Sequence, residues 1–313
     1  MKRILYPNGK EFAFTILDDT DDTTVANGRP VYDLLKEAGI KITKTVWAFD
    51  TAPENQGPYF AGETLQSPGY LDWVHELSNS GFEIAFHNAS MGSAKREKTI
   101  NAIDFLSEEF GREIRLHCNH GQNRENLYWG SSRYSTLLIK LLLKIRGALR
   151  TNRIYEGDIE DSPFFWGDIA KERLSYMRSL SFNRLNGFSI PPKTPYLDNK
   201  KPFAPVLFNT ADAPDIDHFN RLVTKKAIDN LRDCNGWAIV STHIGKGFYR
   251  GGKIDPNFIE TIEYLKTMPG YYVPVTTLLD YLTDSLGITK LNPITRFTME
   301  SQHILDRIKA HIR

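Results

Sequence analysis

Short apolar runs alternate with helix-period segments along most of this chain, and that alternation leaves few folds open. Phe12-Ala13-Phe14-Thr15-Ile16-Leu17 reads as a buried strand. A helix is predicted from Pro30 through Val31, Leu34, Leu35 and Ala38, ending at Gly39. Strands are predicted over 45–49, 82–86 and 113–116. They are separated by helices over 68–80 and 95–110, each with one apolar face. The pattern resumes with a helix over 219–233, a strand over 237–242, a helix over 256–267, a strand over 271–274 and a helix from 276 to 286. Repeats of this kind predict a parallel sheet with helices outside it, either doubly wound or closed as a barrel.

The chain has 313 residues, enough to bury a large core without disulfides or a structural metal. Lysine plus arginine exceed aspartate plus glutamate by only 39 − 38 = 1, which argues against a general nucleic-acid binder. Two cysteines, Cys118 and Cys234, cannot build a disulfide framework and fit a reducing compartment. No apolar run long enough for a signal peptide follows Lys2 and Arg3, so a cytoplasmic protein is expected. The longest apolar stretch, Leu137 to Ile145, is broken by Lys140 and Lys144 and falls short of the ~20 residues of a membrane span. The expected organisation is one domain over 1–290, with insertions near 122–170 and 181–215, and a helical tail over 291–313. The basic, apolar stretch 136–153 is read either as a buried helix with a basic edge or as a peripheral contact for an anionic membrane.

In parallel α/β folds, functional groups collect beyond the C-terminal ends of the strands. Asp18 and Asp19 follow the first predicted strand, and His87 follows the third. His117, Asn119 and His120 follow the fourth, and His243 follows a late one. Adjacent carboxylates at a strand end point to different sides, so one can ligate a metal while the other acts as a base. Imidazole beside carboxylate suits a first-row divalent metal. An acidic turn is the structural alternative for Asp18-Asp19.

Four segments carry a family resemblance. Phe14-Thr15-Ile16-Leu17-Asp18-Asp19 with the helix after Val31 is one, and Ser80-Gly81-Phe82-Glu83-Ile84-Ala85-Phe86-His87-Asn88 is the second. Ile239-Val240-Ser241-Thr242-His243 and Val275-Thr276-Thr277-Leu278-Leu279-Asp280-Tyr281-Leu282 complete the set. In this order and spacing they resemble the polysaccharide deacetylases, the NodB-homology enzymes of carbohydrate esterase family 4. The resemblance implies a distorted (β/α) barrel, often seven-stranded. It implies a metal-dependent hydrolase that removes an N-acyl group from a sugar, with zinc the expected ion. It assigns Asp18 as general base, Asp19 and His87 as metal ligands, and His243 as general acid.

The chain departs from that pattern at one ligand. The family's second metal histidine lies four residues after the first, where this chain has Met91, and a thioether is a poor ligand for such an ion. The neighbouring turn Arg115-Leu116-His117-Cys118-Asn119-His120-Gly121 gains two histidines. His120, ahead of His117, is therefore expected to complete the ligand set. Loss of the metal is the competing reading, and with it a non-catalytic carbohydrate-binding or assembly protein. Arg115, Asn88, Asn119, His117 and Trp166 are the expected substrate contacts, Trp166 from an aromatic loop that could stack on a sugar. The expected substrate is a nucleotide-linked or lipid-linked N-acylated sugar in surface polysaccharide biosynthesis.

Overall fold

A computed structural model of the chain describes residues 3–51, 61–145 and 155–312. Strand β1 (Phe12–Asp18) is buried at every position. It leads into helix α1 (Val25–Glu37), capped by Thr24 and Asn27 bonding reciprocally to each other's backbone amides. That cap starts the helix five residues before Pro30, which sits inside it rather than opening it. There follow β2 (Thr43–Val46), α2 (Tyr70–Asn79), β3 (Glu83–Phe86), α3 (Arg96–Glu109) and the short β4 (Leu116–His117). Helices α4 (Leu137–Ile145) and α5 (Gly167–Arg173) precede β5 (Tyr176–Phe182), β6 (Tyr196–Leu197) and β7 (Val206–Asp212). The expected helix over 219–233 is two, α6 (Ile216–Leu222) and α7 (Lys225–Asp233), each with its own side-chain cap from Asp215 and Thr224. Next come β8 (Trp237–Thr242), the hairpin β9 (Tyr249–Arg250) and β10 (Lys253–Ile254), and α8 (Pro256–Lys266). The chain ends with β11 (Gly270–Tyr271), α9 (Val275–Leu286), β12 (Thr289–Lys290) and α10 (Pro293–Ile312).

Strands β1, β2, β3, β4, β5, β7 and β8 pair in that order, all parallel, and β8 returns to β1 with Ala13–Asp18 opposite Trp237–Thr242. The result is a closed seven-stranded (β/α) barrel. It is distorted, because β4 is two residues long and the β5–β7 register shifts between Arg178 and Ser181. Strands β5 and β7 fall where the sequence shows little periodicity. Beyond Tyr176 and Phe208, which join the inner apolar cluster, they give Arg178, Ser179, Ser181 and Asp212 to the cleft wall, so the period-2 signal is lost.

Side-chain parity along β1 decides what reaches the barrel axis. Phe12, Phe14 and Ile16 pack outward beneath the helices. Ala13 and Leu17 face inward with Ala85, Leu116, Phe208 and Ile239, and α9 closes that end through Val275, Leu278, Leu279 and Leu282. The lower barrel is thus an apolar plug, and the polar inward positions lie at the C-terminal ends of the strands. Among the described residues, no helix is long and apolar enough to cross a membrane. The stretch 136–153 lies partly outside the described residues, beyond Ile145.

Candidate active site

A cleft opens at the C-terminal end of the barrel. Its wall includes Asp19, Asp21, His87, Arg178, Ser241 and His243. Asp19 is the next inward position after Leu17, and its amide still donates to Thr242 O at 2.8 Å, so strand pairing fixes it. Its Oδ2 meets Arg178 Nη1 at 2.6 Å, both side chains buried. Burial pushes the Asp19 carboxyl up, but Arg178, with His87 and His243, outweighs it and holds the group below its ordinary range. Arg178 in turn is held above the arginine range, its burial cost outweighed by Asp19. Asp19 is therefore a carboxylate at neutral pH with a fixed orientation.

Asp21 stands at the focus of three imidazoles. His87 Nε2 lies 3.3 Å and His120 Nε2 3.7 Å from its Oδ1, and His243 Nε2 lies 3.6 Å from its Oδ2. Each ring has its other nitrogen against an oxygen that accepts: His87 Nδ1 at Cys118 O (3.0 Å), His120 Nδ1 at Asn123 Oδ1 (2.8 Å) and His243 Nδ1 at Pro214 O (2.6 Å). A neutral ring that donates from Nδ1 keeps a lone pair on Nε2. In that form all three would turn a lone pair toward the Asp21 carboxylate, and with a proton on Nε2 each turns an N–H toward it instead. Asp21 Oδ1 and Asp19 Oδ1 are buried without a hydrogen-bond partner. Burial raises the Asp21 carboxyl, yet the rings of His87, His120 and His243 hold it well below its usual range. Lone pairs facing carboxylate oxygens repel unless a cation or a proton lies between them.

The loop after β4 is held by a network of side chains. Asn88 takes a left-handed backbone conformation (φ 65°), which asparagine tolerates, and its Oδ1 accepts His120 N at 2.9 Å. Its amide donates to Glu125 Oε1 and Asn126 Oδ1, and Asn123 donates to Ser90 O and Gly92 O. These bonds orient Asn123 Oδ1 as an acceptor and so set the His120 tautomer. Met91 is half-buried and does not line the cleft.

The barrel matches solved structures over nearly its whole length. A Mycobacterium smegmatis protein described as a polysaccharide deacetylase aligns at 11% identity with a TM-score of 0.51, covering 91% of this chain and 94% of that one. The fold is that of a polysaccharide deacetylase. Two lower-scoring matches are a family 4 acetyl xylan esterase from Clostridium thermocellum (13% identity, TM-score 0.41, 92% and 96% covered) and a GH57-type branching enzyme from Pyrococcus horikoshii (10%, 0.46, 93% and 77%). No protein-family model and no curated protein matches the sequence.

Within this barrel, Asp19, His87, His120 and His243 come together around Asp21, and several expected residues do not. Asp18 is fully buried on the outward side of β1 and off the cleft. It accepts Tyr32 OH (2.8 Å), Lys44 Nζ (3.1 Å) and Ile244 N (2.8 Å), so its oxygens are engaged inside the core, away from the cleft. Strand parity is the reason, since a residue next to an inward Asp19 must face the helices. Arg115 lies at the start of β4, the opposite end of the barrel, paired with Asp280. Trp166 is fully buried, its Nε1 donating to Glu125 O and its ring against Phe86 and His117. The aromatic loop around it is a plug on the barrel wall, not a lid. His117 is buried between Phe86 O and Asn119 Oδ1. Asn88 is wholly used by the loop network. Asn119 does line the cleft, but its amide is engaged by His117 and Leu127.

Sequence reasoning missed Asp21, Arg178, Trp129, Arg133, His303 and Arg307, all of which line the cleft. For Asp21 the signal was present in Asp18-Asp19-Thr20-Asp21-Asp22, where alternation past the strand end turns two carboxylates inward. His303 and Arg307 lie one helical turn apart on α10, a spacing that places both on one face.

Proposed function

We propose that the protein is a metal-dependent hydrolase that removes an N-acyl group, acetyl in the simplest case, from a sugar. The observation that carries this reading is the convergence of Asp19, Asp21, His87, His120 and His243 at the mouth of a deacetylase-type barrel, with three Nε2 atoms 3.3, 3.7 and 3.6 Å from one carboxylate. Among the described residues, no three side chains already close on a common point as a finished metal site. The donor set nonetheless fits a first-row divalent ion. It offers two carboxylate oxygens buried without partners and imidazoles whose second nitrogens are anchored to carbonyl oxygens. Asp21, His87 and His120 would hold the ion, with His120 taking the place that Met91 cannot fill. A bound divalent ion polarises an acyl carbonyl and lowers the pKa of water.

The remaining roles follow from this chain's own geometry. Asp19, ionised and fixed by Arg178, takes a proton from the attacking water. His243, anchored at Nδ1 by Pro214 O, presents Nε2 to the cleft 3.9 Å from Asp19 Oδ2, takes up there the proton that Asp19 removed from water and delivers it to the leaving nitrogen. The base thus sits one residue later than Asp18, and Asp21 takes the ligand role expected of Asp19. We place the substrate among nucleotide-linked or lipid-linked N-acylated sugars in surface glycan assembly. The two unbridged cysteines agree with a cytoplasmic setting.

Acetate release from N-acetylated sugars tests this reading. Asp19→Asn is expected to lose activity by about 10²–10⁴-fold per folded molecule, and to lower the melting temperature as well, because buried Arg178 loses its counter-charge. Asp18→Asn is expected to lower the melting temperature, because it leaves Lys44 buried without its counter-charge, at a cost of about 3–5 kcal/mol. A wild-type protein that releases no acyl group, or an Asp19→Asn variant as active as wild type, would point instead to a sugar-binding protein on the same barrel.

A further inference from the structure

The cleft extends beyond the hydrolytic groups to a wall that the reaction does not use. Arg133, His303 and Arg307 line it. Arg133 lies over the indole of Trp129, its Cζ 3.4 Å from the ring centre. Among the described residues it has no carboxylate partner, and its Nε is buried without an acceptor. A half-buried guanidinium left so is unfavourable unless an anion completes it. Burial, with Arg307 and Arg178 nearby, pushes Arg133 down to about 10, the response of a cation short of counter-charge. Behind it, Lys201 donates to Arg133 O at 3.0 Å. Arg307 comes from α10, with Asp212 Oδ2 3.6 Å from its Nη1. His303, one turn earlier, has Nδ1 2.9 Å from Tyr134 OH. With that hydroxyl donating, its single ring proton sits on Nε2, and it adds a donor without adding charge.

Two guanidinium forks and a neutral donor on one cleft wall match the oxygens of a phosphate better than those of a lone carboxylate, which one arginine can satisfy alone. We propose that Arg133 and Arg307, assisted by His303, form a phosphate subsite in the same cleft as the hydrolytic groups. The substrate is then an N-acylated sugar bearing a phosphate or diphosphate ester. This assignment rests on the hydrolase reading for the sugar, but the phosphate site stands or falls by itself.

Calorimetric titration of the full chain with inorganic pyrophosphate is the test. Wild type is expected to bind. Arg133→Gln and Arg307→Gln should each weaken binding by about tenfold or more, the scale of a lost charge-assisted hydrogen bond. Asp21→Asn should keep it, since pyrophosphate held by a metal would be lost there. The Arg307 side chain is half exposed, so that variant carries the test if Arg133→Gln fails to fold. No binding at millimolar pyrophosphate, unchanged affinity in Arg307→Gln, or loss of binding in Asp21→Asn would overturn the proposal.

Kinetics separate this inference from the hydrolase reading. N-acetylglucosamine 1-phosphate should be deacylated with a lower KM than N-acetylglucosamine, and Arg307→Gln should raise only the former KM. Equal KM values for both sugars, with no Arg307 effect, would overturn the subsite and leave the hydrolase. Arginine-dependent pyrophosphate binding without acyl release from any sugar would leave the subsite and remove the hydrolase. Competition by uridine diphosphate against a short prenyl diphosphate then distinguishes a nucleotide-linked from a lipid-linked substrate.

Discussion

His303 shows how one side chain couples the cleft to stability. Burial, with the positive Arg133, Arg307 and Lys201 around it, pushes its pKa down to about 3. An unfolded histidine titrates near ~6.5. Below that pH the unfolded chain binds a proton that the folded chain refuses, so stability falls as pH drops from about 6.5 toward 3. The slope is about 1.4 kcal/mol per pH unit for this residue. Asp19 and Asp21 act in the same sense further down. Their folded values are depressed, so their contribution is present above the carboxylate range and is lost as pH falls through those values. Melting temperatures between pH 7 and pH 5 should therefore fall, and His303→Gln should flatten the fall. A wild-type melting temperature unchanged across that range would contradict the burial argument.

Helix α10 borders the cleft through His303 and Arg307 and meets α4. Glu300 of α10 accepts the amides of Ser135 and Thr136 at 2.7 and 3.0 Å and so satisfies the N-terminus of α4. Helix α10 is itself anchored by Arg296 against buried Asp198 at 2.6 Å. Ile139 of α4 is buried, but Leu137, Leu138, Leu141 and Leu142 are exposed, Leu137 to 80%. The sequence from Leu137 to Arg153 carries five lysines and arginines and no carboxylate. Exposed leucines next in sequence to a basic run predict adsorption to an anionic bilayer. Co-sedimentation with phosphatidylglycerol vesicles should occur and phosphatidylcholine vesicles should leave the protein in solution. The double change Leu141→Glu with Leu142→Glu should abolish it. Failure to sediment with anionic vesicles, or a dimer in solution that the double change dissolves, would contradict this assignment.

At the scale of the whole molecule, the order of strands and helices was legible because outward positions such as Phe12, Phe14 and Ile16 must be apolar beneath the helices. Of the barrel strands, β5 and β7 escaped, and they carry cleft-wall residues within the strand itself, Arg178, Ser181 and Asp212. The site was legible as a set of strand ends, and His87, His120 and His243 do meet there. Roles were less so, because a run of four aspartates within five residues does not say which of them the strand turns inward. Arg178, His303 and Arg307 reach the cleft from segments distant in sequence, so no local pattern marks them. The account stands on Asp21, His87 and His120 forming one ligand set. Elemental mass spectrometry of protein purified without nickel or chelators tests it most directly, comparing wild type with His120→Asn and Asp21→Asn. The expected result is about one equivalent of a first-row metal per wild-type chain, lost in both variants. A wild type that holds no metal and takes up none from micromolar zinc or cobalt would contradict it.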